Sequence, residues 1–213
     1  AEPKGEIVLI VGPPGEVQAE QGDYVSALKD ALETLPPAKA AKDIAKRFGN
    51  ESRVAVCFFH TCFQIGCHVL RSAKMFCNVN VVASAEDKSF TYAPAQADWK
   101  LSRDAAYVHY TANETIGGVE FHWTPSTGDV PLVCDMSSNI LSKPVDVSKY
   151  GLIYAGAQKN IGPAGLTIVI IRDDLVGKAQ PTPPAMLDYK THVDAESMYN
   201  TPPTYGIYIA GLV

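Results

Sequence analysis

The chain has 213 residues, 46% of them apolar, and a formal net charge of −5 at pH 7. That is enough apolar material for a core, in one large or two small domains. The acidic balance and the lack of any Arg/Lys cluster with interleaved aromatics exclude a nucleic-acid face, and no apolar run reaches the roughly 18 residues of a membrane span.

Ala1-Glu-Pro-Lys-Gly5 is neither a signal peptide nor an Arg-rich transit sequence, so a cytoplasmic location is expected. Ile7–Val11 reads as a strand entering the turn Gly12-Pro-Pro-Gly15. A phosphate-binding loop would continue with Lys and Ser/Thr, whereas Glu16–Gln21 supplies carboxylates that repel a nucleotide, so a plain strand and turn is read here. Asp23–Leu35 has helical periodicity and is ended by Pro36-Pro37. Ala38–Phe48 reads as a second, Lys-rich helix that stops at Gly49. Val54–Leu70 is apolar and stays open between helix and strand.

Five cysteines, an odd number, argue against a closed disulfide framework. Cys57, Cys62 and Cys67 lie near His60 and His68, which are zinc-ligand types. Their even spacing lacks the tight Cys pairs of structural zinc sites, so buried thiols are read and no metal is assigned. Beyond them, strands are expected at Asn78–Ala83, Ala106–Tyr110, Leu132–Asp135, Leu152–Ala155 and Leu166–Ile171, separated by turns and short helices. No internal repeat or low-complexity segment interrupts this order.

Two residues among those strands carry chemistry. Lys159 follows the apolar run Gly151–Tyr154 and precedes a Gly/Pro turn, with small residues on either side. Such a lysine can form a Schiff base with a carbonyl. Asp135 ends the short buried-strand pattern Val130–Cys134 and is followed by Ser137, Ser138 and Asn139. Open α/β sheets bind ligands beyond the carboxyl ends of their strands, where both residues would fall. Pyridoxal phosphate needs this pair: an amine for its aldehyde and a carboxylate that keeps the ring nitrogen protonated. Taken singly, Lys159 reads as an exposed turn lysine and Asp135 as a turn or helix cap.

The literal residues add to this. Cys134–Gly165, with Ala112-Asn-Glu-Thr-Ile-Gly-Gly-Val-Glu-Phe121 before it and Tyr199-Asn-Thr-Pro-Pro-Thr-Tyr-Gly-Ile-Tyr208 after it, closely resembles the phosphoserine aminotransferases. These are fold-type I pyridoxal phosphate enzymes, and the resemblance runs from about Phe76 to Val213. It implies an α/β fold with a mostly parallel sheet sandwiched by helices, as in the large domain of aspartate aminotransferase-like transferases. It implies that Lys159 carries the cofactor and that Asp135 pairs with its ring nitrogen. Thr115 and Gln158 would lie against the cofactor, and Asn200 and Thr201 would reach the cofactor phosphate of a neighbouring subunit. The partners implied are therefore a second copy of the chain and the small molecules phosphohydroxypyruvate and glutamate.

The family's His-Arg-Ser motif, its Gln-Gly-Gly phosphate cup and its ring-stacking Trp have no match in residues 1–75, where Phe63–Cys67 is the nearest segment to the cup. Residues 1–75 are accordingly read as a divergent segment, and residues 76–213 as a large-domain core without the smaller C-terminal domain. The implied activity is transfer of an amino group from glutamate to 3-phosphohydroxypyruvate. A catalytically silent relative acting as a binding or interaction protein stays open beside it. A desulfurase of the same fold would need a mobile catalytic cysteine, and none here sits in a matching loop.

Overall fold

Six strands run side by side in one sheet, and the first five of them in spatial order are parallel. The computed structural model describes residues 56–60, 65–179 and 183–213. The expected strand at Ile7–Val11, the helices at Asp23–Leu35 and Ala38–Phe48, and the side chains of the Cys57–His68 cluster lie outside what is described.

The segment Val54–Leu70, open from sequence, contains both structures: strand β1 (Val56–His60) and the start of helix α1 (Ile65–Phe76). Helix α1 leads into β2 (Val79–Ser84), which pairs parallel with β1. Then come β3 (Tyr107–Thr111), a two-stranded ribbon of β4 (Asn113–Glu114) and β5 (Val119–Glu120), and β6 (Leu132–Asp135). Strands β7 (Leu152–Gly156) and β8 (Thr167–Ile171) complete the sheet. The spatial order is β2-β1-β3-β6-β7-β8, with β8 alone antiparallel to its neighbour. Helices α2 (Tyr189–Asp194) and α3 (Thr204–Ala210) follow.

The central strands are apolar on both faces, as parallel strands require when both faces are covered. One face carries Val108, Tyr110, Leu132, Cys134, Ile153 and Ala155, packed with Phe121, Ile140 and Ile161 from the connecting segments. The other face carries Tyr107 and Val133 and receives Val69, Leu70 and Ala73 of α1. Register fixes which side chains share a face: His109 stands beside Val133, and Asp135 beside both Thr111 and Tyr154. Asp135 and the segment after β7 therefore meet at the carboxyl edge of the sheet, where open α/β sheets place their ligands.

Candidate active site

Lys159 stands three residues beyond β7, in a loop that doubles back to β8. The loop is closed at its base, where the Ala157 N–H donates to the Leu166 carbonyl at 2.7 Å. Inside it the Gly162 N–H donates to the Lys159 carbonyl at 3.3 Å. Gly162 has φ +135°, in the region that favours glycine, and a Cβ there would stand 3.0 Å from Ile209 Cγ2 of α3. Small residues are thus required for two reasons: the backbone turn, and the close approach of α3. Gly162→Ala is expected to destabilise the protein by about 1–3 kcal/mol and to raise amide exchange through residues 157–166. Urea denaturation and hydrogen exchange check this, and an unchanged midpoint would remove α3 from any role in supporting the loop.

The Lys159 amine is held by two hydroxyls. Nζ donates to Thr115 Oγ1 at 2.6 Å and to Ser138 Oγ at 3.1 Å, and the two hydroxyl oxygens are 2.6 Å apart. Ser138 Oγ also donates to the Asn113 carbonyl at 3.2 Å. The proton inventory closes in one direction. The ammonium donates to both hydroxyls, Thr115 donates to Ser138, and Ser138 donates to the backbone. Both hydroxyls therefore turn lone pairs toward Nζ.

The ribbon β4–β5 places Thr115 on its tight turn, where Gly118 takes a left-handed φ of +68°. The buried Glu114 carboxylate accepts the Ile116 N–H at 3.1 Å and braces that turn.

Asp135 closes β6 with only 7% of its surface exposed. Its Oδ1 accepts the Ser137 N–H at 2.8 Å. The Ser137 hydroxyl accepts the Gly156 N–H at 3.0 Å, and the Met136 N–H donates to the Tyr154 carbonyl at 2.9 Å. These bonds tie the end of β6 to the end of β7, so the Asp135 carboxylate and the Lys159 loop are fixed relative to each other. Cys134, one residue earlier, faces the core instead, and burial pushes its thiol far above the usual range, which makes it inert.

The other expected residues divide. Thr115 and Lys159 are brought into direct contact, although 44 positions separate them. Gln158 is exposed beside the lysine. Asn200 and Thr201 are exposed in the segment before α3. Ser138 was not singled out from sequence as a site residue: a serine in a polar turn carries no spacing signal, and only the folded chain brings it to Nζ. Arg103 and Arg172 lie at the other edge of the sheet. Arg103 precedes β3, and Arg172 donates its backbone N–H to Gly151 and pairs with Asp174. Neither can hold an anion beside Lys159.

The aminotransferase class-V family model matches residues 66–213. The chain belongs to the class-V aminotransferases. It is 64% identical over 143 residues to the phosphoserine aminotransferase of Herminiimonas arsenicoxydans, covering 67% of this chain and 39% of that protein. It is 60% identical over 144 residues to that of Pseudomonas aeruginosa, covering 68% and 40%. The chain therefore spans about two fifths of the length of the curated relatives it matches.

Among solved structures, phosphoserine aminotransferase from Bacillus circulans subsp. alkalophilus superposes with a TM-score of 0.70 at 37% identity, over 89% of this chain and 57% of that one. The pyridoxal phosphate-bound enzyme from Trichomonas vaginalis gives 0.66 at 35% identity, over 92% and 60%. The α/β fold with its mostly parallel sheet, expected from the resemblance, is thereby established for this member of the class.

Proposed function

We propose that this class-V aminotransferase chain uses pyridoxal 5'-phosphate to move the amino group of L-glutamate to 3-phosphohydroxypyruvate, giving O-phospho-L-serine and 2-oxoglutarate. The observation that carries this reading is the amine of Lys159, oriented by Thr115 and Ser138, one strand away from the buried carboxylate of Asp135. The residues fit the cofactor's chemistry: an amine for its carbonyl, and at the end of the neighbouring strand a buried carboxylate that could accept the ring N–H.

When bound, pyridoxal phosphate supplies an electron sink for a carbanion at the substrate α-carbon. The Asp135 carboxylate keeps the ring nitrogen protonated and so maintains that sink. Lys159 Nζ is the nucleophile that fastens the cofactor to the chain. With its amine free, Lys159 would be placed to take a proton from the substrate α-carbon and to give one back, as general base and then acid. Thr115 and Ser138 keep Nζ within reach during that exchange, and the β6–β7 tie keeps Asp135 in place while the lysine moves. Gln158 lies next to Lys159 along the open side.

Borohydride reduction of the cofactor-loaded protein, followed by peptide mapping, is expected to leave the label on the peptide containing Lys159. Label on another lysine, or none in a loaded sample, would reject the assignment.

The reading includes a homodimer in which Asn200 and Thr201 serve the partner protomer's cofactor phosphate. It is supported by the apolar surround of that segment: Met198, Tyr199, Tyr205 and Tyr208 are between 53% and 71% exposed. Sedimentation velocity is expected to give a dimer that Tyr205→Glu weakens at least tenfold. A monomeric protein at high concentration would remove Asn200 and Thr201 from the site.

A further inference from the structure

Behind Asp135, on the same face of the sheet, lies a polar pair that the proposed chemistry does not use. His109 is on β3, two residues behind Thr111, and Thr111 is the register partner of Asp135. Tyr154 is on β7 and is the partner of Asp135 on its other side. The Tyr154 phenol turns back across Val133 to meet His109 Nε2 at 2.9 Å, with the ring centroids 5.8 Å apart and the planes tilted by 31°. His109 is 2% exposed, within the otherwise apolar run Tyr107–Tyr110.

Burying an imidazole costs free energy that a leucine in the same space would not. The bond to Tyr154 offsets part of that cost. We propose that His109 and Tyr154 are a positioning pair for Asp135: an uncharged, hydrogen-bonded layer that fixes where the carboxylate points and leaves its negative charge for a cationic partner beyond the strand ends. The inference deepens the proposed function, because it rests on Asp135 as the partner of the cofactor's ring nitrogen.

The charge state of the pair decides what it does. Among the described residues, the titratable groups on this face include Tyr107 and His109 from β3, Asp135 from β6 and Tyr154 from β7, with Cys77 just after α1 and Tyr189 of α2 near Tyr107. Burial pushes His109 down to about 4, and the charge of Asp135 pulls weakly the other way. Burial likewise holds the Tyr107 hydroxyl and the Cys77 thiol in their neutral forms at neutral pH.

A protonated imidazole behind Asp135 would form an ion pair with it and compete for its charge. A neutral imidazole supplies only a dipole. The Ser137 N–H holds Oδ1 of the carboxylate, and Tyr154, its register neighbour on β7, is itself fixed by the bond to His109.

The test starts with the cofactor-free protein and NMR of labelled aspartate and histidine side chains. In Tyr154→Phe, which removes one hydroxyl and keeps the ring, the His109 tautomer is expected to change. The Asp135 carboxyl titration is expected to move by about one pH unit, a tenfold change in its proton affinity. His109→Gln keeps a polar group able to bond the Tyr154 hydroxyl and should move the Asp135 titration less than Tyr154→Phe does. Both variants read the same quantity, so failure of one to fold leaves the other to decide.

An Asp135 titration identical in wild type and variants overturns the proposal, since a purely structural pair would leave it unmoved. With cofactor added, Tyr154→Phe is expected to shift the pH dependence of the bound cofactor's visible absorbance. If the wild type takes up no cofactor at all, the functional reading fails, while the carboxyl titration still decides the role of the pair.

Discussion

Asp135→Asn is expected to lower transamination by about three powers of ten or more, on the order of 4 kcal/mol in the barrier, while weakening cofactor binding less than about tenfold. The amide keeps an oxygen where Oδ1 accepts the Ser137 N–H at 2.8 Å, so the turn at the end of β6 survives. What disappears is the negative charge that, in the proposed site, would keep the cofactor's ring nitrogen protonated. That charge would matter little to a resting complex held, as proposed, at other points such as the Lys159 amine. It matters most when electron density builds on the ring, so the loss concentrates in the transition state.

Asp135→Ala should cost as much in rate and more in stability, because the buried Ser137 N–H then loses its acceptor. Steady-state kinetics and cofactor titration on the same samples separate the two quantities. Near-normal turnover in Asp135→Asn, with binding intact, would deny the carboxylate its ring-nitrogen role.

The parts of this arrangement that follow the chain locally were legible before the fold. Leu132–Asp135 has the observed boundaries, and Leu152 begins β7 as expected, because short apolar runs bounded by turn residues mark buried strands. Val54–Leu70 could not be assigned to one state because it holds a strand and the start of a helix, both apolar enough to hide the change of period. Lys159 and Asp135 could be named because each sits at a strand end, a position that sequence pattern marks.

Ser138, His109 and Tyr154 could not, for a different reason. His109 occupies a central strand apolar on both sides, where a lone histidine reads as core. Its partner is 45 positions away and reaches it only through the register of three strands. Contacts made across a sheet leave no spacing in the sequence. Asn200 and Thr201 are the opposite case: the resemblance singles them out, and within one chain no hydrogen bond to the Lys159 cluster is found among the described residues.

Acid should weaken the fold through His109 before it reaches the ion-paired carboxylates. In the folded protein the imidazole binds a proton only at about pH 4, against 6.5 for the free side chain, because burial penalises its charged form. Above pH 6.5 neither the folded nor the unfolded chain protonates this residue, and its contribution is flat. Between about 6.5 and 4 the unfolded chain takes up a proton that the folded chain refuses, so stability falls as the pH falls. The total loss is on the order of 3 kcal/mol and is complete once both states are protonated.

Glu120, Asp146 and Asp174 are held below their usual carboxylate range, chiefly by hydrogen bonds from Lys143, Ser148 and Arg172 respectively. Their stabilisation is present above the ordinary carboxylate values and is lost only at lower pH, so among the described residues the upper part of the window belongs to His109. Urea denaturation at about pH 7 and about pH 5 measures it, with the slope against urea expected to stay constant. His109→Gln removes the titrating ring, and the drop between the two pH values should shrink by about 2 kcal/mol relative to wild type. An equal drop in both proteins would mean that His109 charges freely in the folded state, and that the layer behind Asp135 is not the neutral one its burial requires.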